Sequence, residues 1–285
     1  MKDYYQLTKP GIIYGNAIAV VAGFFLASKG DISWWLLLAT LAGISLIMAS
    51  GCVFNNYIDR DIDRLMERTK NRALARGAAS LRGAVIYGTF LGLTGVLVLI
   101  AYTNFLTILV ALAGLFVYVV AYSLWFKRHS VHGTLVGSIS GAVPPVVGYV
   151  AVTGSLDLGV IILFLILALW QMPHSYAIAL YRLDDYIAAG IPVLPVKKGA
   201  RVTKIHMLVY IVLFTFATLA LTAFGYMGYV YAVVLSVLGA VWLGLCAKGI
   251  KTLDDKLWAR NMFIFSIVVL VVFCIMVAVD WAIKL

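Results

Sequence analysis

Three polar residues recur at intervals of four near the end of the second long apolar run: Asn55, Asp59 and Asp63. In an α-helix this spacing puts their side chains on one face, each about one turn beyond the last. Such groups are costly where hydrocarbon meets water unless they bind something. Their oxygens suit Mg²⁺, which usually binds through one or two carboxylates together with substrate phosphates. The pattern therefore predicts a site for magnesium and phosphate at this helix end.

A second acidic pair, Asp184 and Asp185, follows the sixth apolar run. Two facing acidic clusters would suit a diphosphate bridged by two Mg²⁺ ions, with basic side chains balancing the remaining charge. The basic candidates are Arg60, Lys70, Arg72, Lys127, Arg128, Arg182, Lys197 and Lys198. Two plainer interpretations stay open: a salt-bridged helix end for the first cluster and a solvated loop for the second. Asp61 faces elsewhere, and we expect it to pair with a neighbouring arginine.

Together these residues suggest ionisation of an allylic diphosphate. Metal ions and basic side chains would stabilise the departing pyrophosphate, and the allylic cation would have to be kept from water. Aromatic faces can stabilise such a cation. The candidates by position are Tyr118, Tyr122, Trp170, Tyr176 and Tyr181.

The composition is that of a membrane protein. The 285 residues are 64% hydrophobic and only 12% charged, and the mean hydropathy is +1.02. A soluble domain does not need so much apolar surface, so we predict an all-α polytopic membrane protein. The three cysteines lie far apart in apolar stretches, which favours small core residues over a disulfide or zinc site.

Nine apolar runs are each near the length of about 20 residues that a helical span needs. They cover 11–28, 33–56, 82–102, 104–124, 132–152, 157–181, 204–225, 228–247 and 259–282. Of the 22 Lys and Arg residues, 20 fall in the N-terminal segment and the even-numbered connections. The positive-inside rule then predicts a cytoplasmic N-terminus and a C-terminus on the opposite side. The net charge of +10 is therefore mainly a topology signal, and no nucleic-acid partner is expected.

The chain contains no linker or low-complexity segment, so we predict one domain over residues 1–285. The two acidic clusters suggest a pseudo-repeat of helical halves, about 1–128 and 129–250, followed by a last helix. Pro173 should loosen or kink the sixth span, and Pro144 with Pro145 should distort the fifth and help to shape a cavity.

Asn55-x-x-x-Asp59-x-x-x-Asp63 resembles the first aspartate-rich motif of the UbiA-type intramembrane prenyltransferases. Further stretches resemble the haem-farnesylating branch of that family, and the likeness spans nearly the whole chain. They are Thr8–Gly11, Gly51–Arg64, Met66–Thr69, Trp125–Arg128, Pro144–Pro145, Trp170–His174, Asp185–Tyr186 and Pro192–Pro195.

The resemblance implies nine transmembrane helices around a central cavity in the bacterial inner membrane. It implies farnesyl transfer from farnesyl diphosphate to a vinyl group of haem B, with water added to give haem O. Haem B is then a substrate rather than a cofactor. The product would supply a terminal oxidase, with a haem A synthase or an oxidase assembly as a partner beside the membrane lipid.

The resemblance also assigns Asn55, Asp59 and Asp63 to the diphosphate and Mg²⁺. The family's second motif spaces its acids as D-x-x-D or D-x-x-x-D, whereas this chain has only the adjacent Asp184 and Asp185. Asp184 and Asp185 are both candidate metal ligands, and we favour Asp185 over Asp184 as the catalytic residue of the pair, because the haem-type pattern keeps an Asp-Tyr pair.

Haem would need its own contacts. His174 is the first candidate because we expect it beside the cavity, where it could meet the iron or a propionate. His129 and His132, in a connecting loop, are further candidates, and His206 is expected to be structural. Lys197 and Lys198 could pair with haem propionates or with diphosphate.

Other functions stay open at this point. A prenyltransferase for an aromatic quinone precursor of the 4-hydroxybenzoate type would share the metal machinery. A transporter would need acids deep in several spans, but here the acids cluster at the helix ends apart from Asp280. A structural haem-binding subunit would have no use for two acidic clusters.

Overall fold

The computed structural model describes residues 2–252 and 254–283, with side chains described up to residue 280, and every regular element in this part is a helix. The predicted all-α class is confirmed. The α-helices are α1 (Lys2–Leu7), α2 (Pro10–Ser28), α3 (Trp34–Ile58), α4 (Arg60–Asp63), α5 (Leu81–Tyr102), α6 (Phe105–Phe116), α7 (Lys127–His129), α8 (Gly133–Gly141), α9 (Val143–Thr153), α10 (Leu158–Tyr181), α11 (Leu183–Ala188), α12 (Leu194–Ala223), α13 (Tyr229–Gly249) and α14 (Asp255–Ile283). A π-helix, Val117–Phe126, joins α6 to α7.

Nine helical segments within the described residues are long and apolar enough to cross a membrane. They match the nine predicted runs, so the chain is an integral multi-pass membrane protein. The seventh begins earlier than predicted, at Leu194 rather than residue 204. Its first two turns carry Lys197 and Lys198, which lower the local hydropathy, and Gly199 interrupts the helix with a φ of 79°.

The outer surface of the bundle is apolar, as lipid contact requires. On α5, for example, Phe90, Leu93, Leu97 and Ile100 are all exposed and recur every three or four residues. The largest buried cluster lies among α9, α10, α12, α13 and α14. The outward side of this membrane protein therefore remains hydrophobic while its interior is filled by side chains.

Two glycines allow α2 and α9 to pack closely. A Cβ on Gly23 would overlap the backbone carbonyl of Pro145, and a Cβ on Gly148 would overlap that of Val20. Backbone atoms cannot move aside as a flexible side chain can, so this crossing requires glycine at both positions.

The prolines behave differently in the two helices. The fifth span is broken at Ala142, between α8 and α9, just before Pro144 and Pro145, which confirms the predicted distortion. In contrast, α10 runs unbroken through Pro173, where we predicted a looser helix. Packing against α14 holds this part of α10, because Trp170 Nε1 and His174 Nδ1 both bond Ser266.

Candidate active site

A cavity of about 390 Å³ lies among α2, α3, α6, the π-helix, α8, α9 and α10. One end is charged or polar, with Lys9, Asn55, Asp63, Arg68, Arg72, Lys127 and Tyr186. The other end is apolar, with Ile44, Ile47, Met48, Ala111, Leu115 and Val143. Its volume is within the range of about 300–1,000 Å³ usual for small-molecule sites. The shape suits a ligand with a charged head and a hydrocarbon tail.

The first acidic motif lies at the charged end. Helix α3 ends at Ile58, and Asp59 (φ −84°, ψ 2°) joins it to α4. The one-turn spacing continues across this joint, because the Asp59 N–H donates to the Asn55 carbonyl at 2.9 Å and the Asp63 N–H to the Asp59 carbonyl at 2.8 Å. All three side chains are buried, which agrees with the predicted common face.

Asp59 is wholly buried among cationic groups. Its Oδ2 accepts hydrogen bonds from Lys127 Nζ and, at 2.8 Å, from Asn55 Nδ2. Its Oδ1 is 3.8 Å from Arg128 Nη2 and has no hydrogen-bond partner in the described part of the chain. A buried carboxylate oxygen without a partner is unusual and points to a ligand.

Asp63 is held by the loop that follows it. Both carboxylate oxygens accept from Arg72 Nη1, at 2.8 and 2.9 Å. Thr69 Oγ1 donates to the Asp63 carbonyl at 3.0 Å. The loop therefore folds back over the helix end and brings Arg72 to the cavity.

Lys9 lies at the site, although in the sequence it was included only in the count of basic residues for topology and in the Thr8–Gly11 stretch. It precedes α2 in a left-handed conformation (φ 52°, ψ 63°), and its Nζ donates to Asn55 Oδ1. Burial, and secondly repulsion from Arg72, lower the pKa of Lys9 to about 8. The sequence signal was a basic residue immediately before the proline that begins a helix.

The π-helix places three side chains together. Tyr118 and Lys127 both line the cavity. Ser123, which lies between them along the chain, accepts through Oγ from Asn55 Nδ2 at 2.8 Å and donates to the Tyr118 carbonyl. In an α-helix the nine residues from Tyr118 to Lys127 would turn by about 900°, which leaves the two on opposite faces. The π-helix joins residues five apart and takes somewhat more than four residues per turn, so the two side chains face the same way.

The second acidic pair divides. Asp185 is buried, and its Oδ1 accepts from the Glu67 N–H at 2.7 Å, which ties the loop after α10 to the loop after α4. Asp184 points outward, with 91% of its side chain exposed, and lies 3.7 Å from Lys256 Nζ. The structure thus does not bring Asp184 to the first cluster, because adjacent helical residues point about 100° apart.

The donor set at the charged end fits Mg²⁺. Among residues 2–252 and 254–283, no three His, Cys, Asp or Glu side chains form a ready-made metal site. Two carboxylates and one carboxamide do lie together, however, and one buried oxygen of Asp59 is unpartnered. Mg²⁺ commonly takes one or two carboxylates and completes its shell with phosphate oxygens and water.

The basic candidates separate into two groups. Arg72 and Lys127 line the cavity. Arg128 bonds Asp61 at 2.7 and 2.8 Å, as expected for Asp61. Five others lie elsewhere: Arg60 on the Tyr57 ring, Lys70 beside Glu67, Arg182 on the Tyr181 ring, and Lys197 with Lys198 in a separate surface recess. Arg68, which we had not selected, lines the cavity.

Of the aromatic candidates, Tyr118 and Tyr122 line the cavity with their rings stacked 6.0 Å apart. The other three pack between helices or at a helix end: Trp170 on α14, Tyr176 beside His206 and Tyr210, and Tyr181 under Arg182. Spacing along a helix did not reveal which face α10 turns to the cavity.

The histidines also lie away from the cavity. His174 is stacked on Trp170 and bonded to Ser266 Oγ at 2.7 Å, so it faces α14 rather than the cavity beside which we expected it. His129 lines the separate recess and bonds the Trp125 carbonyl, and the His132 N–H bonds Ser130 Oγ.

The family follows from a comparison with known proteins. The model of the UbiA prenyltransferase family matches residues 16–280. The chain belongs to the UbiA prenyltransferase family. Curated relatives of this UbiA protein include proteins named protoheme IX farnesyltransferase. Those from Yersinia pseudotuberculosis serotype O:1b and Photorhabdus laumondii are each 55% identical, over 99% and 98% of this chain and 95% of their own length.

Solved structures of the UbiA family have the same fold. Digeranylgeranylglyceryl phosphate synthase superposes with a TM-score of 0.82 at 20% identity, covering 100% of this chain and 99% of its own. A UbiA homologue from Archaeoglobus fulgidus, solved with GPP and Mg²⁺, gives 0.71 at 14% identity, covering 97% and 99%. At these identities the likeness concerns the fold.

Proposed function

We propose that this UbiA protein farnesylates haem B. It transfers the farnesyl group of farnesyl diphosphate to a vinyl group of haem B, adds water, and releases haem O and diphosphate. The observation that carries the prenyl transfer is the cavity with a charged end and an apolar end. The choice of acceptor rests on relatives 55% identical over nearly the whole chain that are named protoheme IX farnesyltransferase.

The charged end binds the diphosphate. Asn55, Asp59 and Asp63 hold Mg²⁺, which when bound neutralises the charge of the leaving diphosphate. Lys9, Arg72 and Lys127, which contact these three residues, offer further positive charge to the phosphate oxygens. When the C1–O bond breaks, its electron pair leaves with the diphosphate, whose negative charge these groups stabilise.

The apolar end holds the farnesyl chain and keeps bulk water from the cation. Tyr118 and Tyr122 line the cavity with their rings stacked on each other, and these aromatic rings would stabilise the cation formed at C1. The vinyl group supplies the electron pair for the new carbon–carbon bond. The second cationic centre, on the carbon next to the porphyrin ring, is quenched by water.

The remaining assignments belong to the same proposal. Two Mg²⁺ ions serve the diphosphate, with Asp185 the ligand from the second pair because it is the buried member. The N-terminus is cytoplasmic in the bacterial inner membrane, as the distribution of Lys and Arg favours. Haem O passes to a haem A synthase or a terminal oxidase assembly.

The test is to incubate the purified protein with haem B, farnesyl diphosphate and Mg²⁺ and to look for the mass of haem O. Parallel reactions replace haem B with 4-hydroxybenzoate. Haem O from the first reaction alone supports the proposal. Prenylated 4-hydroxybenzoate without haem O would instead support the quinone-precursor enzyme.

A further inference from the structure

The surface recess between the end of α7 and the start of α12 has no role in the chemistry described so far. Its volume is about 400 Å³, which is within the range usual for small-molecule sites. The residues that line it are His129, Ser130, Val131, Pro192, Lys197 and Lys198.

The recess carries positive charge that no neighbouring carboxylate balances. Lys197 and Lys198 are both exposed, and no Asp or Glu is among the described residues that line the recess. The lysines Lys127 and Lys204, in contrast, each form an ion pair with an aspartate. Two unpaired ammonium groups in one recess favour a ligand that carries two negative groups.

His129 offers the recess a different kind of contact. Its Nδ1 bonds the Trp125 carbonyl at 2.9 Å, and because a carbonyl only accepts, Nδ1 carries the proton. In the neutral ring Nε2 then keeps its lone pair, which is the arrangement in which histidine binds a metal. A phosphate group has no use for such a lone pair. The set of side chains therefore fits a ligand that combines two acid groups with a metal centre.

The recess meets the catalytic cavity. Ser130 and Val131 each line both of them. In the stretch before α12, Ile191 and Val193 line the cavity, and Pro192 between them lines the recess. A ligand in the recess therefore lies directly beside the cavity.

Helix α7 limits the distance between the recess and the acidic motif. Lys127 Nζ bonds Asp59 in the charged end, and His129, two residues further along, lines the recess. An extended lysine side chain and two helical residues together span only a short distance, so the His129 Cα lies at most about 15 Å from the Asp59 carboxylate. A limit of this size matches the breadth of a porphyrin with its side chains.

We propose that the recess binds haem B, the acceptor in the proposed function. Lys197 and Lys198 donate to the two propionates, and His129 Nε2 binds the iron. The opposite half of the porphyrin, which carries the vinyl groups, then points past Ser130 and Val131 to the cavity. The diphosphate is bound at the charged end, so the two substrates have separate anion sites. This proposal rests on the proposed function and adds the binding site of its acceptor.

The experiment measures the binding of haem B without turnover. The detergent-purified protein is titrated with haem B in the absence of farnesyl diphosphate, and the Soret band reports the dissociation constant and the iron ligation. The variants are the pair Lys197→Gln with Lys198→Gln, and His129→Phe. The matched control is Lys248→Gln with Lys251→Gln, which removes two exposed lysines that do not line the recess. Haem B dimethyl ester, whose propionates carry no charge, is titrated in parallel.

The Lys197/Lys198 double variant should bind haem B about tenfold more weakly than the wild type, the effect of two partly solvated ion pairs. It should also no longer distinguish haem B from the dimethyl ester. The control pair should keep the wild-type affinity. His129→Phe should change the Soret band of the bound haem, and added imidazole should restore it.

An unchanged affinity in the double lysine variant, or an unchanged spectrum in His129→Phe, would overturn the proposal. Loss of bound phosphatidylglycerol from the double variant with unchanged affinity for haem B would assign the recess to lipid headgroups instead. A rise in the KM for farnesyl diphosphate, with that for haem B unchanged, would assign the lysines to diphosphate. If the wild type binds haem B as described but forms no haem O, the proposed function fails while the binding site stands.

Discussion

Asp59→Asn is the sharpest test of the charged end of the cavity. The substitution keeps the size of a wholly buried side chain and removes its negative charge, so Lys127 Nζ loses its counter-ion. Breaking a buried charge pair costs about 3–5 kcal/mol. If that energy is lost from the transition state, in which Asp59 also holds the metal and diphosphate, kcat/KM falls about 10²- to 10⁴-fold at about 1.4 kcal/mol per factor of ten.

The assay is the initial rate of haem O formation by the detergent-purified protein, measured by mass spectrometry at several concentrations of farnesyl diphosphate. The matched control is Asp184→Asn, the same chemical change at a carboxylate whose side chain is 91% exposed. We expect the control to retain the wild-type rate within about threefold, as surface substitutions usually do. Thermal unfolding of each variant separates loss of chemistry from loss of fold.

One result would refute this reasoning. If folded Asp59→Asn keeps kcat/KM within about threefold of the wild type, the buried charge has no part in transition-state stabilisation. Asp63→Asn, which removes the charge facing Arg72, should then also leave kcat/KM within about threefold of the wild type.

Four further outcomes are expected. Chelation of divalent ions should abolish product formation and added Mg²⁺ should restore it; undiminished product after chelation would exclude the metal. Gly23→Ala should destabilise the protein by about 1–3 kcal/mol, because its Cβ meets the backbone of α9, whereas Gly15→Ala, with open space around it, should unfold like the wild type. His174→Phe should retain haem O formation within a few-fold, since His174 faces α14, and loss of haem binding in the folded variant would contradict this. Hydrogen bonds from Arg128 hold the pKa of Asp61 well below its usual range. Ionised Asp61 therefore stabilises the folded state above about pH 4, and this stabilisation is lost as the pH falls further. Asp61→Asn should therefore cost at most about 1 kcal/mol at pH 7, because the side chain is largely exposed, and the difference in unfolding free energy from wild type should shrink below about pH 4.

The spans and the first motif were predictable because both depend on local properties. Hydropathy over about 20 residues selects a membrane helix whatever its neighbours are. The spacing of Asn55, Asp59 and Asp63 survives the break after Ile58, since backbone hydrogen bonds still join residues four apart across the joint. These features needed no knowledge of which helices pack together.

The second acidic pair and the histidines were less predictable. Asp184 and Asp185 are adjacent and identical in type, so spacing does not distinguish them, and the sequence favoured Asp185 only through the family resemblance of the Asp-Tyr pair. The bond from the Glu67 N–H to Asp185 selects one of them, and it joins residues 118 positions apart. His174 likewise lies next to cavity residues along the chain, but α14 packs against its side of α10.

The amino-acid order alone established a membrane-embedded helical bundle with a magnesium–phosphate motif at one helix end, since periodicity and hydropathy act within one segment. Packing of segments distant in the chain settled the rest. It brought Lys9 to Asn55 and lodged the Gln171 amide against Gly141. The structure also contains a π-helix, which turns Tyr118 and Lys127 to the same side. An α-helix of the same residues would put them on opposite faces. Convergence of this kind depends on which helices become neighbours and how each is rotated, and neither is a property of any single stretch of residues.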